Sequence, residues 1–290
     1  MQDSIIFDLL LPIALGVIML GLGLSLTVAD FKRVLTYPRA VLFGLLIQTA
    51  ILPWAAFAIA IAFQLPPALA VGLMLLAASP GGATANIYSH LARGDVALNI
   101  TLTATNSLLS LVTLPLIVGW SLVFFMDSDQ YVPPPTRKIV EVAGIILIPV
   151  IIGMLVRAFA PGFAVRMEKP LKIFSVLVLA ALIGAVLWSE AGNLLAFFAT
   201  VGLACLAFNL VSMAVGYGLP LAINLPRKQA IAIAMELGIH NATLAIFIAM
   251  NVLDNNQMSI PAVIYSLIMF ITAAIFAWWL TRNRVEPASA

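Results

Sequence analysis

The chain has 290 residues, of which 63% are hydrophobic and 9% charged, and its mean hydropathy is +1.13. Soluble domains carry about 25% charged residues, so this composition excludes a water-exposed globule and indicates an all-α polytopic membrane protein. The net charge of +2 gives no reason to expect a nucleic-acid partner, and the lone cysteine, Cys205, excludes an intrachain disulfide. No motif for ATP, for a dinucleotide or for a hydrolytic triad is found, so an enzyme is not expected.

Nine apolar runs are long enough to cross a bilayer as helices, and together they predict a single transmembrane domain over residues 1–290. The N-terminus has no Lys or Arg before its first apolar run, so we interpret that run as a span and not as a cleaved signal peptide. The nine predicted spans cover residues 5–27, 40–63, 68–92, 96–125, 139–160, 171–189, 193–219, 228–252 and 258–281.

The distribution of Lys and Arg predicts the orientation, because cytoplasmic loops carry an excess of both. With the N-terminus outside, only Arg137 and Lys138 of the 14 basic residues fall on the outer side. We therefore expect an inner-membrane protein whose N-terminus is periplasmic and whose C-terminus is cytoplasmic. The basic residues then on the inner side are Lys32, Arg33, Arg39, Arg93, Arg157, Arg166, Lys169, Lys172, Arg227, Lys228, Arg282 and Arg284.

The two halves of the chain contain a matching segment, since Ala62-Phe-Gln-Leu-Pro66 corresponds to Ala222-Ile-Asn-Leu-Pro226. Uncharged Pro67-Ala-Leu follows the first copy, whereas Arg227-Lys-Gln follows the second, so the charge rule places the two loops on opposite sides. The pattern predicts an inverted-topology repeat in which spans 1–4 correspond to spans 6–9.

Spans 3 and 8 each contain a polar break at corresponding positions, Ser79-Pro-Gly-Gly-Ala-Thr-Ala-Asn86 and Met235-Glu-Leu-Gly-Ile-His-Asn-Ala-Thr243. Proline and glycine disfavour a helix interior, and unwound backbone at membrane depth is tolerated only inside protein or along a cavity. Paired broken spans indicate the binding site of a secondary transporter. Helix N-termini at the breaks favour an anion, and freed carbonyls can hold a cation.

Glu236 is the principal candidate residue, because a carboxylate near the bilayer centre costs about 2.5–3.5 kcal/mol and is seldom kept without a function. Three roles stay open: a ligand for a coupling ion, a carrier of protons, or a structural hydrogen-bond partner. No Lys or Arg lies deep in a predicted span, so a bound cation or a proton must neutralise this carboxylate.

Further polar residues in the spans offer partners for Glu236. Span 4 carries one helical face of amides and hydroxyls at Asn99, Thr103, Asn106 and Ser110, which suits either Na⁺ or interhelical hydrogen bonds. The deep amides Gln48 and Asn209 leave the same alternatives open. His240 is either a satisfied hydrogen-bonding group, a proton-sensitive group or a substrate contact.

At these residues the sequence resembles the bile acid:sodium symporter family. The matching pieces are Gly21-Leu-Gly-Leu-Ser-Leu26 with Asp30-Phe31, Ser79-Pro-Gly-Gly82 through Asn86, Leu91-Ala-Arg-Gly-Asp-Val-Ala-Leu98, and the Glu-x-Gly-x-x-Asn motif of Glu236 to Asn241. The resemblance implies that helices 3 and 8 cross at their breaks near the midplane. It further implies a panel domain of spans 5–27, 139–160 and 171–189, and a core domain of spans 40–63, 68–92, 96–125, 193–219, 228–252 and 258–281.

The resemblance also implies two sodium sites and a substrate position. The first sodium site would use Asn86, Asn99, Thr103 and Glu236, with Ala85 at the place of a family serine. The second would use Gln48 and Glu236, with carbonyls around Leu237 and Ile239. His240 stands there at the place of a family glutamine, and its nitrogen ligand suits Na⁺ poorly. Substrate would lie near Ala83, Thr84 and Asn241, and we add the deep amide Asn209 to this group.

The sequence therefore predicts a secondary transporter in the lipid bilayer that couples Na⁺ to symport of an organic anion by alternating access. Sodium is the coupling ion, no cofactor is expected, and no protein partner is evident. The alternatives are the same fold coupled to protons or uncoupled, a passive channel, a membrane sensor, or a relative of the arsenite exporters.

Overall fold

The computed structural model describes residues 11–82, 84–126, 136–189 and 198–282. Within these ranges every regular element is helical, and extended backbone pairs only at one isolated bridge, so the all-α prediction is confirmed there. Several predicted features lie outside the described residues. They are the start of the first span, the substrate candidate Ala83, the connection 127–135, the beginning of the seventh span and the tail after Arg282.

The first helix ends in a sharp bend that a local hydrogen-bond motif stabilises. Helix α1 and the short helix that follows it are bent by 70°. At the bend the Thr27 backbone N–H and hydroxyl both donate to Asp30 Oδ2, at 2.7 and 2.6 Å. Asp30 is buried and forms an ion pair with Arg33. The elements are α1 (Leu11–Ser25), α2 (Val28–Lys32) and a 3₁₀ turn (Arg33–Leu35).

The next element is a long helix that a π turn interrupts. The first broken span comes after it, and an unbroken helix of 30 residues follows that span. The unbroken helix begins at a side-chain cap, where Asp95 accepts from the Leu98 N–H at 3.0 Å. The elements are α3 (Pro38–Leu46), the π turn (Ile47–Ile51), α4 (Leu52–Ala62), α5 (Pro67–Ala78), α6 (Ala85–Leu91) and α7 (Val96–Phe125).

The second half of the chain has the same order of broken and unbroken helices. Helix α8 (Thr136–Phe159) and helix α9 (Pro161–Ser189) are separated by Ala160 alone. The later elements are a π turn (Phe198–Gly202), α10 (Leu203–Ala222), α11 (Arg227–Gly238), α12 (Ala242–Phe247), a π turn (Ile248–Val252), a 3₁₀ turn (Asn256–Ser259) and α13 (Ile260–Arg282).

Among the described residues, four helices are long and apolar enough to cross a membrane, or five if the bent pair at α1 and α2 is one span. The predicted spans 3 and 8 are not among them, because their breaks divide them into shorter apolar helices such as Pro67–Ala78 and Ala242–Val252. The chain is thus a membrane protein with several apolar helices, and the number nine stays a prediction.

Helices α1, α8 and α9 pack mainly against one another. Glycines allow the close approach of α1 and α8, since a Cβ on Gly23 would overlap the Val150 backbone and a Cβ on Gly153 would overlap the Leu20 backbone. Small residues at helix interfaces allow such packing in membranes. The other long helices surround α5 and α11, which are buried over most of their lengths.

The same turn geometry occurs once in each half of the chain. Gln64 and Asn224 both adopt left-handed backbone, with φ of 50° and 60°. In each turn the next N–H reaches back five residues at 2.9 Å, and a helix begins after the following proline. Asp95 and Asn255 also correspond, since each caps the next element through the backbone N–H three residues on. The sequence repeat is therefore also a repeat of local structure.

Candidate functional site

The two breaks lie against each other and are joined by main-chain hydrogen bonds. Gly81 and His240 form an antiparallel bridge. On either side of it, the Gly82 N–H donates to Ile239 O at 2.6 Å and the Asn241 N–H donates to Pro80 O at 2.8 Å. Each unwound segment therefore satisfies backbone groups of the other, which is what non-helical backbone buried in a membrane protein requires.

Gly81 lies directly against the side chain of Glu236. A Cβ built on this glycine would overlap the carboxylate, so no other residue fits without displacing it. The glycine is thus needed for close approach of its backbone to a side chain. Its position brings the break in the first half of the chain to the acidic residue of the second half.

Glu236 lies in the last turn of α11 and is 1% exposed. The Thr103 hydroxyl donates to its Oε2 at 2.6 Å, the Gly81 backbone also lies within hydrogen-bonding reach of the carboxylate, and Oε1 is buried without a well-aligned hydrogen bond. Among the described residues Asp30 is the other buried carboxylate, and Asp30 is paired with Arg33. One hydrogen bond to a charged group contributes about 1.5–3 kcal/mol, whereas burying the charge costs several kcal/mol, so a bound cation or a proton must neutralise the carboxylate.

The predicted first group of sodium ligands is largely brought together. Asn99 lies one turn before Thr103 on α7, and its Nδ2 donates to Ala232 O at 2.9 Å, one turn before Glu236 on α11. Because that carbonyl can only accept, Nδ2 must face it, and Asn99 Oδ1 is left buried without a partner. Asn86 Oδ1 is likewise unpaired, and its side chain lines the same small cavity as Thr103.

These unpaired groups share one chemistry. Buried oxygens that can only accept hydrogen bonds, with a carboxylate among them, fit a hard cation such as Na⁺ and do not fit a second hydrogen-bond acceptor. The C-terminal end of α11 adds the negative end of a helix dipole at the same place. In this first group the unpaired oxygens are Asn86 Oδ1, Asn99 Oδ1 and Glu236 Oε1, and Gln48 Oε1 of the second group is unpaired as well.

The predicted second group of sodium ligands is arranged differently. Gln48 Nε2 donates to Ala77 O and Ser79 O at 2.9 and 3.0 Å. Ser79 O also receives His240 Nδ1 at 3.2 Å, and Ile239 O receives the Gly82 N–H. Leu237 lies in the last turn of α11. Three carbonyls in this region thus already accept from N–H groups of the chain itself.

His240 lies between aromatic rings. Its ring stacks on Phe208 at 5.5 Å between centroids and meets Tyr265 edge-on at 5.5 Å. Because Ser79 O can only accept, Nδ1 must carry a hydrogen, so in the neutral ring Nε2 is a buried acceptor without a partner. The aromatic rings hold the imidazole in one orientation against the crossing.

A cavity of about 50 Å³ lies beside the crossing, between α1, α9, α12 and α13. Of the predicted substrate residues, Thr84 and Asn241 line it, as does His240. Asn241 Oδ1 accepts from the Leu244 N–H at 3.1 Å and so also caps α12. Thr243, Ser175, Met19 and Met269 complete the polar and thioether lining.

The structure does not bring Asn209 to this cavity. Asn209 is fully buried, and its Nδ2 donates to Gly238 O and to Tyr265 Oη, both at 2.9 Å. Tyr265 donates to the same Gly238 carbonyl at 2.9 Å, so both side chains hold the end of α11. Sequence reasoning missed Tyr265, since nothing in the sequence near it marks a contact 27 residues away.

Two broken apolar helices joined at their breaks, with a buried carboxylate behind the joint, define the class of protein, because ion-coupled membrane transporters build their sites in this way. The Sodium Bile acid symporter family matches residues 12–197, and the chain belongs to this family. The match ends before Glu236, whereas pairwise similarity to several relatives extends over more than 90% of the chain.

The relatives include a bacterial protein, a plant protein and an animal protein. The "Uncharacterized sodium-dependent transporter YocS" of Bacillus subtilis is 27% identical, over 97% of this chain and 86% of its own length. "Probable sodium/metabolite cotransporter BASS2, chloroplastic" of Oryza sativa is 28% identical, over 97% of this chain and 65% of its own length. The human "Ileal sodium/bile acid cotransporter" is 26% identical, over 94% of this chain and 79% of its own length. The family and these names describe transporters, so this chain is a transporter and not an enzyme.

Proposed function

We propose that this protein is a sodium-coupled symporter of an organic anion and that it works by alternating access. The observation that carries the proposal is the buried carboxylate of Glu236, with Oε1 unpaired and with unpaired amide oxygens on the helices beside it. Sodium at this place neutralises the carboxylate and satisfies the amide oxygens together. The proposed ligands are Asn86, Asn99, Thr103 and Glu236.

Organic substrate binds in the cavity beside the crossing, near Thr84 and Asn241. Its present volume is about 50 Å³, whereas small-molecule sites measure about 300–1,000 Å³. The cavity must therefore widen before substrate enters. It lies between α1 and α9 on one side and α12 and α13 on the other, so separation of these groups widens it.

The moving parts follow from the packing. Helices α1, α8 and α9, which pack mainly on one another, form the panel, and the helices around α5 and α11 form the core. The matching turns at Gln64 and Asn224 support an inverted repeat, the arrangement that gives alternating access in several transporter folds. Nine spans, with a periplasmic N-terminus and a cytoplasmic C-terminus, complete the proposed topology.

Coupling follows from the position of Glu236 at the joint. Cation binding at Oε1 fixes the carboxylate, which contacts Gly81, and Gly81 belongs to the unwound segment that borders the substrate cavity. A bound cation therefore orders the backbone to which substrate binds. Substrate in turn stabilises the cation, because coupling between two sites is reciprocal.

Purified protein in proteoliposomes tests the proposal under separate Na⁺ and pH gradients. A bile acid and a series of short carboxylates and sulfonates are first screened by thermal shift, with and without Na⁺, because a ligand at 100 times its Kd stabilises by about 2.7 kcal/mol. We expect one of these anions to accumulate when a Na⁺ gradient is imposed. Accumulation driven by the pH gradient alone would favour proton coupling, and failure to concentrate any anion would favour a passive channel.

The Glu236→Gln variant tests the cation ligand, because it keeps the shape of the side chain and removes its charge. It should lose both Na⁺-driven uptake and stabilisation by Na⁺. Asp254→Asn is the matched control, since Asp254 is exposed and asparagine tolerates its left-handed backbone, with φ of 50°. Normal Na⁺-driven uptake by Glu236→Gln would refute the assignment.

A further inference from the structure

Helix α11, which carries Glu236 in its last turn, ends without a left-handed main-chain cap. The residue after it, Ile239, is extended, with φ of −114° and ψ of 91°, and no glycine of the described residues has a positive φ. A left-handed residue at that place would return main-chain N–H groups to the last carbonyls of the helix. The carbonyl of Gly238, the last residue of α11, therefore needs donors from another part of the chain.

Two side chains from neighbouring helices supply these donors. Asn209 on α10 donates to Gly238 O through Nδ2, and Tyr265 on α13 donates through its hydroxyl, both at 2.9 Å. Asn209 Nδ2 also donates to Tyr265 Oη at 2.9 Å, so the three groups form a closed triangle, which we call the carbonyl clamp. The Ser212 hydroxyl also lies within hydrogen-bonding reach of Tyr265. A carbonyl oxygen has two lone pairs, and the clamp occupies both.

The first half of the chain holds the end of its broken helix with an amide as well. Gln48 Nε2 donates to Ala77 O near the end of α5 at 2.9 Å, and these two residues are 29 apart in sequence, as Asn209 and Gly238 are. The amides lie in the second and seventh predicted spans, which correspond in the repeat. Tyr265 is an additional donor in the half of the chain that carries Glu236.

The clamp acts on the same helical turn as Glu236, which precedes Gly238 by two residues. On its other sides this turn is held by Thr103, which donates to the carboxylate, and by Gly81, whose backbone lies against it. The clamp residues are fully buried, so water does not replace their hydrogen bonds when one is removed. Loss of a clamp donor therefore leaves the end of α11 less ordered.

From these observations we infer that Asn209 and Tyr265 are positioning residues, which hold the last turn of α11 so that Glu236 is ordered before the coupling cation binds. The inference rests on the proposed cation site and extends it. A site whose ligands are ordered in advance binds more tightly, because the cost of ordering them falls on folding and not on binding. Neither residue contacts the cation, and Gly238 O, with both lone pairs occupied, is not one of its ligands.

Tyr265→Phe tests the clamp, because it removes one donor and keeps the ring that packs edge-on against His240. The melting temperature of the purified protein is followed as Na⁺ replaces choline at constant ionic strength, and the Na⁺ dissociation constant is fitted from that dependence. This constant should rise about three- to tenfold, which is the factor that one hydrogen bond contributes. Tyr217→Phe is the matched control, since Tyr217 is half-buried on α10 and its ring packs on Phe276.

Asn209→Leu removes the other donor and keeps the size of the side chain, so it should raise the Na⁺ dissociation constant as well. A merely structural role would lower the melting temperature equally with and without Na⁺ and leave the dissociation constant at its parent value. An unchanged dissociation constant in both Tyr265→Phe and Asn209→Leu would overturn the inference. A smaller constant would overturn it too, because the released carbonyl would then be acting as a ligand.

Glu236→Gln, measured beside the clamp variants, separates the two proposals. A Na⁺ response of the parent protein that Glu236→Gln abolishes supports the cation site, whatever the clamp variants show. Against that background, equal dissociation constants in the parent protein and the clamp variants count against the clamp alone. A parent protein that Na⁺ does not stabilise would overturn the cation site and the clamp together.

Discussion

The Thr103 hydroxyl donates a 2.6 Å hydrogen bond to Oε2 of Glu236 and leaves Oε1 of the same carboxylate buried without a partner. This bond joins α7 to α11 across 133 residues of sequence. It fixes the orientation of the carboxylate, so that one oxygen is held by the protein and the other remains for a ligand. In the proposed cation site, Thr103 therefore has two roles, as a ligand and as the residue that positions Glu236.

Thr103→Val should weaken Na⁺ binding, because valine keeps the shape of threonine and removes the hydroxyl. Loss of a hydrogen bond to a charged group costs about 1.5–3 kcal/mol, so the Na⁺ concentration for half-maximal uptake should rise at least about tenfold. Thr101→Val is the matched control, since Thr101 lies on the same helix and its hydroxyl bonds only to Ala97 O. Thr103→Ser should restore most of the affinity, and equal effects of the two valine variants would show a general packing defect.

Gly81→Ala should abolish Na⁺-dependent uptake, because the added methyl group occupies the position of the Glu236 carboxylate. Stabilisation by Na⁺ in a thermal-shift assay should be lost with it. Gly184→Ala on α9 is the control, since nothing lies within 4 Å of a Cβ there, and alanine in a helix is more stable than glycine by up to about 1 kcal/mol. A Gly81→Ala protein with unchanged Na⁺ response would mean that the carboxylate need not approach the break.

The Na⁺ dependence of uptake should be hyperbolic, with a Hill coefficient of about 1, since the Hill coefficient is bounded by the number of sites. The physical reason is that Ser79 O already accepts from both Gln48 and His240, which occupies both of its lone pairs, and that an imidazole nitrogen is a poor ligand for Na⁺. A Hill coefficient close to two in the parent protein would contradict this expectation.

His240→Gln extends the same test. Glutamine replaces the ring with an amide whose oxygen is a suitable ligand for Na⁺. The variant should show a steeper Na⁺ dependence than the parent protein. Gln48→Leu, made on the His240→Gln background, should return the curve to the hyperbolic form, because it removes the other side chain that reaches Ser79 O.

The left-handed turns at Gln64 and Asn224 predict opposite responses to substitution. Gln64→Gly should raise the melting temperature, because glycine adopts positive φ without strain, and the gain is about 1 kcal/mol. Gln229→Gly, in the first turn of α11, should lower it. Asn224→Val should lower the melting temperature more than Gln229→Gly does, since a β-branched residue at a φ of 60° is strained. Thermal unfolding followed in detergent compares the variants, and an unchanged melting temperature for Asn224→Val would argue against the turn.

The positions of both breaks could be predicted from sequence, because Pro80 and the polar run after Met235 interrupt otherwise apolar segments. The sequence also predicts helix α7 at 96–125, where the structure has it, since the apolar run is continuous, and the structure shows Asp95 as its cap. Helix α9 begins at Pro161, earlier than the predicted start of its span at residue 171, because charged residues end an apolar run without ending a helix.

The contacts between distant residues could not be predicted in the same way. Gly81 and His240, which form the bridge, belong to opposite halves of the chain, and the crossing is expected from the family resemblance and not from any local pattern. Asn209 is an amide, which could bind a ligand, yet in the structure it stabilises the end of α11. The buried Gly238 carbonyl there needs a hydrogen-bond donor, and Asn209 supplies it. The small cavity lined by Asn86, Thr103 and Ser175 combines side chains from four helices, and no local sequence pattern predicts it.

The joint between the breaks consists of main-chain groups, Gly82 N–H with Ile239 O and Asn241 N–H with Pro80 O. Replacement of a neighbouring side chain leaves those groups in place, so residues around the crossing are free to diverge while the architecture persists. The Bacillus subtilis relative and this chain are identical at only 27% of aligned positions. A scaffold held in this manner can change its cargo by altering a few residues of the cavity wall, without rebuilding the machinery that couples it to an ion.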